Sequence, residues 1–212
     1  MIIAFCGWQG CGKDTAADYL INWHGFKRDS FANTLKDAAA DIFSWDREML
    51  EGRTLASRQW REKVDGWWAN RLEMPDLTPR WVLQYLGTEV FRHGFHDDIW
   101  IASMEKRLEK TSDSVVISDC RFPNEIAAIR RLGGRVFWIQ RGGLPEWYET
   151  AVAENTANKE VLALLKSQGN TMNQKYPNIH PSEFSWVGTE FDVVVSNNGT
   201  IDELYETLKS QV

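Results

Sequence analysis

Short apolar runs alternate with amphipathic stretches along most of this chain, and the two periodicities separate strands from helices. Met1 to Cys6 (MIIAFC) is continuously apolar and stops at a glycine, the pattern of a parallel strand buried on both faces. Residues 13–24 carry Ala16, Ala17, Leu20, Ile21 and Trp23 on one helical stripe, which Gly25 ends. Residues 26–31 read as a weak second strand. Residues 33–44 read as a helix with Leu35, Ala38, Ala39, Ile42 and Phe43 spaced by three and four. The stretch 46–79 is rich in charge and tryptophan, with Pro75 and Pro79 as breaks, and predicts helices around two loops. One amphipathic helix is expected over 80–92 and another over 98–110.

The second half repeats the alternation. SVVISD (114–119) is a buried strand, 124–132 a helix stopped by Gly133-Gly134, and 135–140 a strand. A helix is expected over 149–167, flanked by polar loops. FDVVVSN (191–197) is the last strand and 202–208 the closing helix. Strands and helices in this order predict an α/β fold, a parallel sheet covered on both faces. The span between the second strand and the strand at 114 is too long for a simple crossover, so helical insertions that cover a substrate are expected there. The expected organisation is one domain over 1–212, with a helical insertion at 32–112 and a lid-like one at 143–185.

Composition narrows the partners. The chain has 212 residues and a formal net charge of −6, which argues against a surface for a nucleic acid polymer but leaves room for a few local cations around a small nucleotide. No run approaches the length of a membrane span, and no basic leader precedes the first strand. No membrane partner is therefore expected, and the default location is the cytoplasm, that of the host if a phage encodes the chain. Three cysteines without paired spacing do not suggest a disulfide framework. Cys6 and Cys120 read as small core residues, and Cys11 as loop filler or an oxidation-sensitive thiol. Eleven tryptophans read mainly as core or interface packing, with one or two able to stack on a base.

The chemistry concentrates in GWQGCGKDT, Gly7 to Thr15. It fits G-x-x-x-x-G-K in the context that gives the pattern meaning, after a buried strand and at the start of a helix. Gly7, Gly10 and Gly12 let the backbone turn its N–H groups, that of Cys11 among them, toward phosphate oxygens. The helix start adds its positive end. Lys13 would place an ammonium on the phosphoryl group in flight, which makes an ATP-dependent kinase the expected class. The residue after the lysine is Asp14 where a hydroxyl is usual. Asp14 either ligates Mg²⁺, directly or through water, or supplies charge to the helix start. Thr15 is then the expected phosphate contact.

Asp119 ends the 114–119 strand, where an acid would hold magnesium or a water beside the loop. Arg121 follows at the carboxyl edge of the sheet and reads as a phosphate clamp, or as the ion-pair partner of Glu125. The Asn158-Lys159-Glu160-Val161 stretch fails the guanine pattern of GTPases. His96-Asp97-Asp98 reads as a helix cap and surface cluster, because the other histidines have no ligand spacing. Two other readings stay open: a kinase of another small acceptor, of the dephospho-coenzyme A or phosphomevalonate type, and a non-catalytic ATP-binding module.

Several segments together resemble the bacteriophage deoxynucleoside monophosphate kinase family. They are GKDT (12–15), RWVLQYLGTEVF (80–91), VVISDCRFPNEIAAIRRLGGRVFWIQR (115–141), HPSE (180–183) and FDVVVSNNGTIDEL (191–204). The resemblance is weakest over 45–75 and 143–178. It implies a P-loop NTPase fold of the nucleoside monophosphate kinase kind, three layers α/β/α, acting as a homodimer. It implies transfer of the ATP γ-phosphoryl group to a deoxynucleoside monophosphate with Mg²⁺. By position it implies that Arg80, Gln84 and Thr88 face the monophosphate, that Arg121 and Glu125 sit between donor and acceptor, and that Arg141 approaches the ATP. The four-residue spacing of Arg80, Gln84 and Thr88 would put them on one helix face. His180 and Glu183 fall in a matching loop with no assigned role.

Overall fold

Five short strands form one wholly parallel sheet in the order β2-β3-β1-β4-β5. The strands are β1 (Ile2–Cys6), β2 (Lys27–Asp29), β3 (Val115–Ile117), β4 (Arg135–Gln140) and β5 (Val193–Ser196). The computed structural model describes all 212 residues, in two compact units: Met1–Ser30 with Thr111–Val212, and Phe31–Lys110. The sheet belongs wholly to the first. β1 lies at its centre, pairing Ile3 with Val116 of β3 and Phe5 with Phe137 of β4. A central parallel strand is buried on both faces, which explains the unbroken apolar run.

Side chains alternate across the sheet. Ile3, Phe5, Phe137, Ile139 and Val195 share a core with Ala16, Ala17 and Leu20 of α1 (Lys13–His24) and Leu204 and Leu208 of α13 (Ile201–Lys209). Tyr19 of α1 stacks on Tyr205 of α13, ring centroids 4.4 Å apart. Helix α8 (Pro123–Arg131) packs against β1 and β4 and buries Ile126 and Ile129. The three-layer α/β/α arrangement expected from the sequence is present. A Cβ at Gly134 would lie 2.7 Å from Ile129 Cγ2 and 3.0 Å from Ile2 Cβ, so the glycine after α8 permits close helix–strand packing. Cys6 and Cys120 are buried free thiols, and burial pushes both thiols well above their usual pKa. They are core residues, as read from the sequence. No helix is long and apolar enough to cross a membrane.

Two expectations are corrected. The single helix expected over 149–167 is two helices, α9 (Tyr148–Asn155) and α10 (Lys159–Ser167). Asn158 adopts extended backbone and its side-chain oxygen accepts from Val161 N, so it starts a new helix where an apolar stripe alone shows continuity. The helix expected over 80–92 begins one residue earlier, as α6 (Pro79–Tyr85), then widens into a π-helix over Leu86–His93. Pro79 sits in its first turn, capped by Thr78, rather than breaking it. Trp100 Nε1 donates to the Gly87 carbonyl at 2.9 Å, and a Cβ at Gly87 would meet Leu35 Cδ2 at 2.9 Å. The wider turn shifts Thr88 off the four-residue repeat that joins Arg80 to Gln84.

The helical unit has its own core. Trp45 stacks on Phe43 at 4.4 Å and meets Trp60 edge-on at 6.0 Å, beside Leu50, Leu77 and Val82. Polar anchors fix the indoles: Trp45 Nε1 donates to Asp65 Oδ2 at 2.7 Å, and Trp68 Nε1 to the Phe43 carbonyl at 3.0 Å. Asp65 Oδ1 also accepts from Trp67 N and Trp68 N, so one carboxylate caps α5 (Gly66–Leu72) and orients the core. Glu51 ends α3 (Arg47–Glu51), and its largely buried carboxylate accepts from Lys36 Nζ at 2.8 Å and from Arg47 Nη1. Burial alone would raise its pKa, but the hydrogen bonds and charges of Lys36 and Arg47 outweigh it and lower the carboxyl from 4.5 to about 2.

A depressed carboxylate stabilises the fold above its unfolded pKa and loses that contribution as pH falls through the folded one. Glu51→Gln is therefore expected to destabilise the helical unit by about 3 kcal/mol at neutral pH. Urea unfolding of the two proteins should converge as pH drops from 4.5 toward 2. A gap that stays constant with pH would reject the assignment.

Candidate active site

The loop Gly7–Gly12 leaves β1 and enters α1 at the carboxyl edge of the sheet, where parallel α/β folds bind ligands. Gly7 has φ +140°, and a Cβ there would lie 2.6 Å from the Ile139 carbonyl oxygen. Gly12 has φ +103°, and a Cβ there would fall 2.3 Å from Asn197 Nδ2. That nitrogen donates to the Cys11 carbonyl at 2.8 Å, tying the loop to the chain just past β5. Cys11 N donates to the Trp8 carbonyl at 3.3 Å, and Cys11 itself is buried in the core of the sheet unit. This burial suits the filler role and disfavours a solvent-exposed redox thiol.

Lys13 is only 8% exposed. Its Nζ donates to the carbonyl oxygens of Gly7 and Trp8, both at 2.7 Å, and contacts Cys11 Sγ at 3.7 Å. The ammonium thus lies folded over the loop it serves. Thr15 is half-buried in the first turn of α1. Asp14 is exposed, and its Oδ1 accepts from Arg28 Nη1 at 3.0 Å and Ser118 Oγ at 2.9 Å. Arg28 also pairs with Asp18 at 2.6 Å. Asp119 lies two residues beyond the last residue of β3, and its Oδ2 accepts from Ser30 Oγ.

Arg121 does not form the ion pair with Glu125 that the sequence left open, because Glu125 takes its backbone N–H instead. Its guanidinium pairs with Glu183 Oε1 and approaches Ser182 Oγ at 3.4 Å. Glu125 is 3% exposed, and its Oε2 accepts instead from the backbone N–H groups of Arg121 and Phe122 at 2.8 and 3.2 Å. Glu125 therefore caps α8 in the manner of a capping box, a structural job that competes with substrate contact. Glu183 sits on α12 (Pro181–Phe184), and its second oxygen accepts from Gln9 N at 3.1 Å. His180 caps that helix, its Nδ1 accepting from Ser182 N at 3.2 Å. Arg141 is exposed immediately after β4. Arg80, Gln84 and Thr88 belong to the helical unit, where all three are exposed, and Arg80 lies 3.9 Å from Glu62.

Trp8 anchors the loop in an aromatic cluster. It meets Trp138 at 5.7 Å and Trp147 at 6.1 Å, both edge-on, and Trp186 at 5.3 Å. The indole nitrogens of Trp8, Trp138 and Trp186 are buried without an oxygen or nitrogen acceptor. Mutually steep rings are the packing in which N–H groups can face π clouds instead. A cavity of about 340 Å³ opens beside this cluster, lined by Trp8, Gln9, Pro145, Trp147, Ile179 and Glu183.

Arg28 and Asn197 escaped sequence reasoning, and Glu183 was singled out there only as part of a resembling loop without a role. Arg28 lies mid-strand on the half-buried edge strand β2, an uncommon place for a cation and the one usable signal. Asn197 had only its position after β5.

Over 225 aligned residues the chain is 31% identical to a protein of Acanthamoeba polyphaga mimivirus provisionally named deoxynucleotide monophosphate kinase, covering 100% of this chain and 96% of that one. The chain belongs to the viral deoxynucleoside monophosphate kinase family. It is a phosphotransferase. A second member, the deoxynucleoside-5'-monophosphate kinase of Escherichia phage T5, is 25% identical over 179 residues, 61% of this chain and 72% of its own. No protein-family model matches. Among solved structures, a Thermus thermophilus protein aligns over 100% of this chain and 95% of its own with a TM-score of 0.46 at 19% identity. Dephospho-CoA kinase from Campylobacter jejuni aligns over 99% and 94% with a TM-score of 0.41 at 17% identity. At those scores neither likeness bears on function.

The loop geometry separates two glycines of similar backbone. Gly10→Ala, where a Cβ enters open space at φ +78°, is expected to cost about 1–2 kcal/mol in urea unfolding. Gly12→Ala should cost distinctly more, because the same strain is joined by the clash with Asn197. Equal costs would show that Asn197 yields freely.

Proposed function

We propose that this family member transfers the γ-phosphoryl group of ATP to a deoxynucleoside monophosphate, giving ADP and the deoxynucleoside diphosphate. The observation that carries the reading is the glycine loop closing β1 onto the start of α1 with the Lys13 ammonium drawn over it. Few other arrangements serve a triphosphate chain so directly.

The chemistry asks little covalent work of the protein, because the acceptor phosphate oxygen is already ionised and needs no strong base. Catalysis is then positioning and charge neutralisation. The loop amides between Gly7 and Thr15 that are not bonded within the loop, as that of Cys11 is to Trp8, and the positive end of α1 hold the donor phosphates. Lys13 exchanges the carbonyls of Gly7 and Trp8 for phosphate oxygens, and Thr15 adds a hydroxyl. Arg121 clamps the phosphoryl group in flight, with Glu125 holding the backbone that presents it. Arg141 approaches the ATP. Arg80, Gln84 and Thr88 of the helical unit are the proposed monophosphate contacts. The 143–185 segment is proposed to act as a lid that excludes water, since an open site would hydrolyse ATP.

Asp14 and Asp119 are the carboxylates proposed to hold Mg²⁺, directly or through water. No group of three or more His, Cys, Asp or Glu side chains could hold a metal unaided. That suits magnesium, which is commonly held by one or two carboxylates with phosphates and waters completing its shell. Arg28 and Ser118 orient Asp14, and Ser30 orients Asp119. When bound, the ion would supply neutralisation of the donor phosphate charge. A homodimer in the cytoplasm remains part of the proposal.

The test is to offer ATP, Mg²⁺ and each deoxynucleoside monophosphate singly and resolve the products by ion exchange. At least one should become its diphosphate with matching ADP. Binding of ATP with no monophosphate converted would reject the acceptor. In the same assay Lys13→Met, which keeps the buried stem but not the charge, should fall by about 10²–10³-fold in turnover. It should also lose some stability, because two loop carbonyls lose their donor.

A further inference from the structure

Glu183 makes a pair of contacts that the phosphotransfer reading leaves unexplained. One carboxylate oxygen takes the N–H of Gln9 at the tip of the phosphate loop, and the other takes the Arg121 guanidinium. These are a loop amide and the arginine that the proposed reaction assigns to phosphate. A carboxylate and a phosphoryl group present the same feature to such donors, two anionic oxygens within reach of a planar fork and an amide. They cannot share the site, because like charges at contact distance repel strongly in a partly desolvated cleft.

The segment bearing Glu183 is held independently of that contact. His180 caps α12, Phe184 is buried, and Asn155 Nδ2 of α9 donates to the carbonyls of Phe184 and Val187 at 2.7 and 2.8 Å. The backbone can therefore stay in place while the side chain moves. The carboxylate is 23% exposed and borders the cavity of about 340 Å³ shared with Trp8 and Gln9, which leaves it somewhere to go.

We propose that Glu183 is a built-in stand-in for a phosphoryl group, and that by having to be displaced it determines which anions the loop accepts. The proposal rests on the phosphate-loop reading above. An ATP chain can evict Glu183 because its other phosphates engage Lys13, the remaining loop amides and the start of α1. Orthophosphate has no linked phosphates to engage the remaining loop amides and the start of α1 while it displaces Glu183, so it gains far less by entering. The carboxylate would thus keep the empty site closed to free phosphate while leaving it open to a nucleotide.

Calorimetric titration of the full chain with ATP and, separately, with orthophosphate tests this in wild type, Glu183→Ala and Glu183→Gln. Glu183→Ala should bind ATP about tenfold more tightly, the equivalent of one freed charge-assisted contact, and should take up orthophosphate where wild type does not. Glu183→Gln, which keeps an acceptor for Gln9 but not the charge, should fall between. ATP binding that is unchanged or weaker in both variants, with melting temperatures like that of wild type, would overturn the proposal and make Glu183 a support for Arg121. Failure of wild type and both variants to bind ATP at all would overturn the phosphate-loop reading itself, and this proposal with it.

Discussion

The buried ammonium of Lys13, held by the carbonyl oxygens of Gly7 and Trp8, is the interaction on which the arrangement of the site turns. The loop turns the carbonyls of Gly7 and Trp8 inward, and inward carbonyls need a donor. Lys13 supplies it from the first turn of the helix the loop leads into. The same contacts hold the loop against the sheet: Gly7 lies against the Ile139 carbonyl of β4, and Asn197 beyond β5 secures Cys11. The loop is therefore fastened at the carboxyl ends of β1, β4 and β5 together, and the strand order makes that possible.

Around this loop the charges are paired in advance. The chain is acidic overall, yet cations gather at the carboxyl edge of the sheet. Arg28 is matched by Asp14 and Asp18, and Arg121 by Glu183. A half-buried cation without an anion is costly, so each of these arginines is held beside an internal acid. The acids thereby act as structural counter-ions to the arginines at this edge of the sheet.

The helical unit follows a different logic. Its helices are short, and its stability rests on indole packing and on carboxylates that each serve several donors. Asp65 caps α5 and fixes Trp45, while Glu51 joins Lys36 to Arg47. The π-helix over Leu86–His93 goes with a Gly87 carbonyl that accepts from Trp100, and with the exposed stretch that carries Thr88.

The strands, most of the helices and the glycine-rich turn into Lys13 were legible in the sequence because each is specified locally. A continuous apolar run has to be buried, and a glycine-rich turn ending in lysine at a helix start has one well-suited chemistry. The break at Asn158 and the widening after Tyr85 were not legible, since apolar periodicity is blind to a single capping side chain and to one displaced carbonyl. The partners of the site were equally hidden. Arg121 meets Glu183 across 62 positions and Asn197 reaches Cys11 across 186, while Glu125, only four residues from Arg121, takes its backbone instead of its charge. Which acid meets which cation depends on how the strands are ordered and on which oxygens the backbone claims first, and only the folded chain decides that.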